Sequence, residues 1–464
     1  MRRFLVRGSV AVVGLLAICI SAETACSSKS SGAGADSGIL PAAGGSGAFG
    51  IVTVNGIQKM YLPLQSGDPT TGNGLLAVVN VGVAGAGVAG APALITNIDL
   101  GTADFATATG GNSNVVIAAS TSANKVWFIN PQNDTLTKTI TLDPSYGRSS
   151  FSGGGGFVTG IAVDSANNRA ILSVWNGFAI VDLGSQTITS TISAPPSENF
   201  GFDSSHERIL APFYECTSST GADGGPPDSC NTVFGPDGVT PMPSGLSVID
   251  LNDNNTVYTY EDPVASDPNS PLGSAPDSAA ADPVTQQVVI PAEHDGYENI
   301  LDFSKAVFDK TKKTVTAPHI TIQNIGLEGV AVEFNKHLAF WEGEGDTTVA
   351  VSSLSSIPSI NGAIDGGDPQ AAVSTPIATM PDLPAAGGGW SNLGDPHGIA
   401  VTTGLADGHA VGFVVDGDYQ WVARIDLEAM AAIPVVDAGD GETVAITQAQ
   451  MAPVVTFLDA TKKP

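Results

Sequence analysis

Two stretches decide the fold: Gly160-Ile-Ala-Val-Asp-Ser-Ala-Asn-Asn-Arg-Ala-Ile-Leu-Ser-Val174 and Asn199-Phe-Gly-Phe-Asp-Ser-Ser-His-Glu-Arg-Ile-Leu-Ala-Pro-Phe213. Each reads as a short apolar strand, an Asp/Asn-rich turn and a second apolar strand. The two copies start 39 residues apart. Weaker copies open at Ser278-Ala-Ala-Ala-Asp, Gly329-Val-Ala-Val-Glu and Gly398-Ile-Ala-Val. Third strands recur as Lys125-Val-Trp-Phe-Ile-Asn, Phe178-Ala-Ile-Val-Asp-Leu, Leu246-Ser-Val-Ile-Asp-Leu and Val422-Ala-Arg-Ile-Asp-Leu. Fourth strands rich in Thr and Ile follow, as in Leu136-Thr-Lys-Thr-Ile-Thr-Leu and Gln186-Thr-Ile-Thr-Ser-Thr-Ile.

Four short strands in a unit of about 40 residues describe a propeller blade. One such sheet cannot bury both faces, whereas blades stacked around an axis can. The sequence therefore predicts an all-β protein, a β-propeller of about seven four-stranded blades. They open near Phe49, Phe105, Gly160, Asn199, Ser278, Gly329 and Gly398. Blade 1 takes Phe49–Val54, Gln58–Leu64, Leu75–Val81 and Leu94–Leu100. No strand exchanged between the termini is evident, and the degenerate repeats leave six or eight blades open.

At these residues the chain resembles the YVTN/NHL-like family of bacterial propeller repeats. Asn114-Val-Val-Ile-Ala-Ala-Ser-Thr-Ser-Ala-Asn-Lys-Val-Trp-Phe-Ile-Asn130 is similar to that family's repeat core, and Pro396-His397-Gly398-Ile399-Ala400-Val401 to its blade opening. The resemblance covers most of 47–464. It implies a fold more than an activity, because the family holds surface proteins, binding scaffolds and enzymes.

The N-terminus reads as an export signal. Three arginines lie within Met1–Arg7, and a 13-residue apolar run, Val10–Ala22, follows; it is too short to span a bilayer. Ala25-Cys26-Ser27 resembles a bacterial lipoprotein signal, which implies a lipidated Cys26 at a new N-terminus. Glu23 departs from that pattern, and cleavage near Ala22 without a lipid is the alternative. Residues 1–25 are thus expected to be a signal peptide, 26–46 a flexible Gly/Ser/Ala tether, and 47–464 the propeller. Cys19 falls within the signal. Cys216 and Cys230 flank one turn-rich stretch and are expected to pair in an oxidising compartment.

The chain carries 18 Lys+Arg against 46 Asp+Glu. Removing residues 1–25 takes away Arg2, Arg3, Arg7 and Glu23, leaving 15 basic and 45 acidic residues. Such a surface repels phosphate backbones, which argues against a nucleic-acid partner.

Candidate chemistry lies where the first strands of the blades enter the central channel. The residue before each start is Thr159, Glu198, Asp277, Glu328 or His397. Glu198, Asp277, Glu328 and His397 are the candidate metal ligands, for Ca²⁺ or another divalent ion. Some lactonases of similar fold hold an ion there, which implies a metal-dependent hydrolase as one reading. A second acidic pair of segments is Glu293-His-Asp-Gly-Tyr-Glu298 and Trp341-Glu-Gly-Glu-Gly-Asp346, one blade apart. Asp250-Leu-Asn-Asp-Asn254 with Glu261 mimics a calcium loop, but Asn255 replaces the required glycine and strands flank it, so a hairpin turn is expected. His206, His319, His337 and His409 read as structural, and the tryptophans as blade packing. No nucleophile elbow, phosphate loop, zinc-protease motif or Cys-x-x-Cys occurs.

The first expectation is a non-enzymatic, membrane-anchored binding or scaffold protein of the bacterial cell envelope. Its long inserted loops, 216–243 and 355–396, suit recognition of an envelope protein or carbohydrate. A lactonase-like hydrolase and a structural surface-layer component are the alternatives.

Overall fold

The computed structural model describes residues 49–64, 68, 70–83, 93–120, 123–146, 158–195, 197, 199–213, 244–262, 271–273, 276, 278–292, 297–323, 329–343, 348–356, 377–379, 396–403, 408–416, 421–433, 445–451 and 454–459. All belong to one compact unit, Ala35–Thr217 with Asn231–Pro464. The expected signal peptide, the tether, Cys26, Cys216 and Cys230 lie outside the described residues.

The strands form seven small sheets in a ring, a seven-bladed β-propeller. Blade 1 is β1 (Ile51–Val54), β2 (Ile57–Leu64), β3 (Leu75–Val83) and β4 (Ala93–Asp99). Blade 2 is β5 (Ala108–Gly111), β6 (Val116–Ala119), β7 (Lys125–Asn130) and β8 (Thr135–Thr141). Blade 3 is β9 (Val158–Asp164), β10 (Arg169–Val174), β11 (Gly177–Asp182) and β12 (Thr187–Ser193). Blade 4 is built on β13 (Gly201–Asp203), β14 (Arg208–Phe213), β15 (Gly245–Asp250) and β16 (Thr256–Tyr260).

Blade 5 is β17 (Ala280–Asp282), β18 (Gln287–Ala292), β19 (Tyr297–Asp302) and β22 (His319–Gln323). Between its third and fourth strands runs a hairpin, β20 (Val307–Asp309) and β21 (Thr314–Thr316). Blade 6 is β23 (Gly329–Glu333), β24 (Leu338–Gly343), β25 (Thr348–Ser353) and β26 (Ile377–Thr379). Blade 7 is β27 (Pro396–Thr403), β28 (Ala410–Asp416), β29 (Trp421–Asp426) and β31 (Val455–Asp459). Helices α1 (Leu427–Ala431) and α2 (Gln448–Met451) and strand β30 (Ala445–Ile446) interrupt it. The segment 355–396, expected as one loop, contains β26.

Each seam between blades holds one apolar core. Tyr61 and Leu76 meet Val116 and Trp127 between blades 1 and 2. Phe128 meets Leu172 at 2/3, Phe178 meets Phe200 at 3/4, and Tyr258 shares the 4/5 core with Ile290. Ile300 and Trp341 share the 5/6 core, and Phe340 and Val414 the 6/7 core. The seventh core closes the ring: Phe413 and Val422 of blade 7 pack with Phe49, Met60 and Leu62 of blade 1. Among the described residues no strand is exchanged across that seam, since blades 1 and 7 each draw their four strands from one end of the chain. Burial of apolar area between sheets, at roughly 25 cal/mol per Å², is the force available to close it.

Inner strands approach closely enough to demand small residues. A Cβ on Gly110 would lie 2.8 Å from Ile161 Cγ2 of the next blade. Gly398 has φ of 113°, and a Cβ there would run into the Phe49 ring across the 7/1 seam. Glycine alone meets both demands at Gly398.

The recurring acidic residues cap turns. At the ends of first strands, Asp164 accepts from Asn167 N, Asp203 from Ser205 N, Asp282 from Val284 N and Glu333 from Lys336 N. At the ends of third strands, Asp182 accepts from Ser185 N, Asp250 from Asn252 N and Asp426 from Ala429 N. Asx-type capping explains why the repeat keeps a short carboxylate at all of these strand ends but one, where Glu333 caps in its place. It also confirms that Asp250–Asn254 is a hairpin turn, between antiparallel β15 and β16.

Outer edges are treated in more than one way. β4, β8 and β12 each carry a one-residue register shift against the third strand. The extra residue in two of them is Thr: Thr137 Oγ1 donates to Phe128 O (2.9 Å) and Thr189 Oγ1 to Ile180 O (3.2 Å). The hydroxyl satisfies a carbonyl that the bulge pulls from the ladder. In blades 4 and 6 an extra strand covers the edge. β21 pairs parallel with β16, and β30 pairs parallel with β26.

Candidate functional site

The connections between second and third strands, and between fourth and first strands, leave the blades at one end of the channel. First-to-second and third-to-fourth turns leave at the other. At the second end, short capped turns are tied to one another across blades. Ser205 Oγ donates to Pro283 O, His337 Nδ1 lies 2.5 Å from Asp282 Oδ2, and Lys336 pairs with Glu428 at 2.9 Å. Arg169 joins Asp164 of its own turn to Glu207 of the next blade. Burial works against the charge on Asp164, but hydrogen bonds from Asn167 and Arg169 outweigh it and hold its carboxyl below the usual range. Burial and then repulsion from Asp164 push Glu207 up.

The expected metal ligands were read from the residue before each first strand. Glu198, Asp277 and Glu328 lie outside the described residues. His397 falls in β27, but its side chain is likewise outside the described set. Thr159 is described, and its hydroxyl is engaged: Thr159 Oγ1 and Ser173 Oγ both reach the carbonyl of Ser197, at 2.9 and 2.8 Å. That carbonyl sits on the crossover from blade 3 to blade 4. Thr159 therefore pins a crossover. Among the described residues no group of three His, Cys, Asp or Glu is placed to hold a metal ion.

The second pair of acidic segments is linked at its described residues. Trp341 Nε1 donates to Ser352 Oγ (3.0 Å), which donates to Glu298 Oε2 (2.8 Å). Glu298 belongs to blade 5 and Trp341 to blade 6, and both are fully buried. The neighbouring Glu342 is also fully buried, and its Oε1 accepts from Gly398 N of blade 7 at 3.3 Å. Two buried carboxylates thus tie blades 5 to 6 and 6 to 7. Their signal in the sequence is a Glu among apolar residues of a strand, a pattern open to structural and functional readings alike.

The described histidines share one arrangement. His206, His319, His337 and His409 each present Nδ1 to an aspartate Oδ2, at 2.8, 3.1, 2.5 and 2.7 Å. His319 is the most enclosed. Asn299 Nδ2 donates to Leu272 O and Ile290 O, which leaves Asn299 Oδ1 to accept from His319 Nε2 at 2.9 Å. Asp262, facing its other nitrogen, ends blade 4. This network joins blades 4 and 5. Sequence reading missed it because its members lie up to 57 residues apart.

A further buried tie joins blades 1 and 2. Lys59 Nζ meets Asp134 Oδ2 at 2.7 Å and Pro131 O at 2.9 Å, while Tyr61 OH donates to Asp134 Oδ1 at 2.6 Å. Burial, reinforced by the Asp134 charge, pushes the Tyr61 phenol well above its ordinary range.

The fold and these ties define a seven-bladed β-propeller whose described polar side chains cap turns and, at several seams, hold blade to blade. No family model matches the chain. No curated protein matches it. Among solved structures it is similar to Kuenenia stuttgartiensis hydrazine synthase, at 10% identity and a TM-score of 0.42, over 82% of this chain and 96% of that one. It is also similar to a complex of KlAtg21 with the coiled-coil of AgAtg16, at 7% identity and a TM-score of 0.45, over 84% of this chain and 94% of that one.

Proposed function

We propose that this chain is an exported, lipid-anchored propeller that acts as a binding or scaffold protein of the bacterial cell envelope. The observation that carries the binding role is the use of the described polar groups. Strand-end carboxylates cap turns, and His319, His337 and the buried glutamates tie blades together. Chemistry of this kind builds a stiff platform, and recognition falls to the connections it carries. The reading of export rests on the basic start, the apolar run Val10–Ala22 and Ala25-Cys26. The resemblance of its repeats to the YVTN/NHL-like family, which includes surface proteins and binding scaffolds, is compatible with this reading.

Intact-mass analysis of protein extracted from host membranes tests the anchor. An acylated Cys26 at the N-terminus is expected; a free amine at Glu23 on a freely released protein refutes it. Metal analysis of the purified chain separates scaffold from hydrolase. A stoichiometric divalent ion lost in both Glu328→Ala and His397→Ala would displace the scaffold reading in favour of metal chemistry at the channel mouth.

A further inference from the structure

An Asn-Gly pair can rearrange without an enzyme, because glycine has no Cβ to block its backbone nitrogen from the asparagine side chain before it. The chain holds four such pairs: Asn55-Gly56, Asn73-Gly74, Asn176-Gly177 and Asn361-Gly362. The last lies outside the described residues. The other three each stand at the start of a strand, and the fold treats them differently.

Two are locked. Asn73 Nδ2 donates to both oxygens of Asp99, at 2.9 and 3.2 Å. Gly74 is buried, its N–H donates to Thr102 O at 2.8 Å, and a Cβ there would run into Asp104 O. Asn176 Nδ2 donates to Ser145 O at 2.7 Å. Gly177 is buried in β11, registered with Val174 on one side and Ser193 on the other, and a Cβ there would run into Ile192 O. Swinging either glycine nitrogen toward the preceding side chain would disrupt buried backbone pairing.

Asn55-Gly56 differs at each of these points. Both residues are exposed, and they are the two central residues of the turn between β1 and β2, closed by Val54↔Ile57. Their φ angles of 52° and 79° are those of the type I′ turn that favours Asn-Gly. The N–H of the second central residue takes no part in the strand ladder of such a turn. Beyond its chain neighbours, nothing lies within 4 Å of where a Cβ on Gly56 would stand. The Asn55 amide makes a long, exposed contact, Nδ2 to Gln132 Oε1 at 3.4 Å.

We propose that Asn55 is a site of spontaneous deamidation and isoaspartate formation, and that the fold protects Asn73 and Asn176 from the same reaction. The tip must flex to bring Gly56 N to Asn55 Cγ, and an exposed two-residue tip does so at less cost than a buried strand end. The Gly56 N–H gives its proton to hydroxide and the nitrogen attacks Cγ. The Cγ–Nδ2 bond breaks, and Nδ2 takes a proton from water and leaves as ammonia. Water then opens the five-membered imide at either carbonyl, with no change in oxidation state. One opening gives an aspartate; the other gives an isoaspartate, which adds a backbone atom to the turn. Each places a new carboxylate opposite Gln132.

Peptide mapping of the full folded chain, aged in mildly alkaline buffer, tests this. The peptide containing Asn55 should undergo the amide-to-acid mass change about tenfold faster, or more, than those containing Asn73 and Asn176. Labelling by an isoaspartate methyltransferase should locate the same residue. In the urea-unfolded chain the three rates should converge. Equal rates at the three sites in the folded chain overturn the proposal. A lead for Asn55 that persists unchanged in urea overturns it too, because sequence and not fold would then set the ranking. Conversion to aspartate with no isoaspartate also overturns it, since that product bypasses the imide.

Discussion

Substitution of Gly398 by Ala probes the 7/1 seam at its tightest point. The backbone there has φ of 113°, beyond the left-handed helical region that an L-residue tolerates. Holding a non-glycine residue in such a conformation costs about 1–3 kcal/mol. The added methyl also meets the ring of Phe49, a residue only 5% exposed in the core shared by blades 7 and 1. Overpacking of that kind costs about 1–3 kcal/mol. Together Gly398→Ala should destabilise by about 2–6 kcal/mol. Phe49→Ala alone should cost about 3–5 kcal/mol through the cavity it leaves. The double variant is the informative one, because removing the ring removes the clash and leaves the backbone cost. Urea unfolding followed by tryptophan fluorescence should show a coupling of about 1–3 kcal/mol in favour of the double variant. Additive effects would mean that Gly398 and Phe49 do not meet, and the reasoning about ring closure would fail with them.

Lys59→Ala leaves the buried carboxylate of Asp134 without its cation and should cost about 3–5 kcal/mol in chemical unfolding, whereas Lys59→Met with Asp134→Leu should recover most of that loss. Thr137→Val removes the hydroxyl that serves Phe128 O and should lower stability by about 1 kcal/mol, with Thr139→Val near neutral as the control. Stability should fall on the acid side. Asp164 and Asp302 are held below the usual carboxylate range by hydrogen bonds from Asn167 and Arg169, and from Lys305 and Ser304, that outweigh burial. Their contribution is complete above the unfolded value of about 3.9 and is lost as pH falls through the folded value. Thermal melts between neutral pH and pH 3 should show that loss, and Asp164→Asn should flatten it.

Much of the fold is legible in the sequence because the repeat is written in strand periodicity and turn chemistry. The openings expected at Gly160, Asn199, Ser278, Gly329 and Gly398 fall within two residues of the starts of β9, β13, β17, β23 and β27. Blade 1, whose repeat is faint, still shows itself through runs such as Gln58–Leu64, observed as Ile57–Leu64. The parallel strands β21 and β30 are three and two residues long, too short for any period, and they pair with a blade other than their own. Nothing local encodes that choice. The ties between blades are hidden for a similar reason. Glu298 and Ser352 become partners only when two sheets stack. His319, by contrast, reads as structural from its isolation in the sequence, and the structure gives it two acceptors. The candidate ligands Glu198, Asp277, Glu328 and His397 rest on alignment of the repeats alone, and their side chains lie outside the described residues.

Ring closure without strand exchange is the central claim, and Gln58 and Thr402 offer its most direct test. Their side chains, 344 residues apart in sequence, hydrogen-bond across the 7/1 seam at 3.1 Å. In a chain whose native cysteines are changed to serine, Gln58→Cys with Thr402→Cys can be treated with a short bis-maleimide and analysed by peptide mass. A cross-link joining the two positions within single molecules, at a yield independent of dilution, is the predicted result. Cross-links found only between molecules, or none at all, would contradict a closed ring of seven blades.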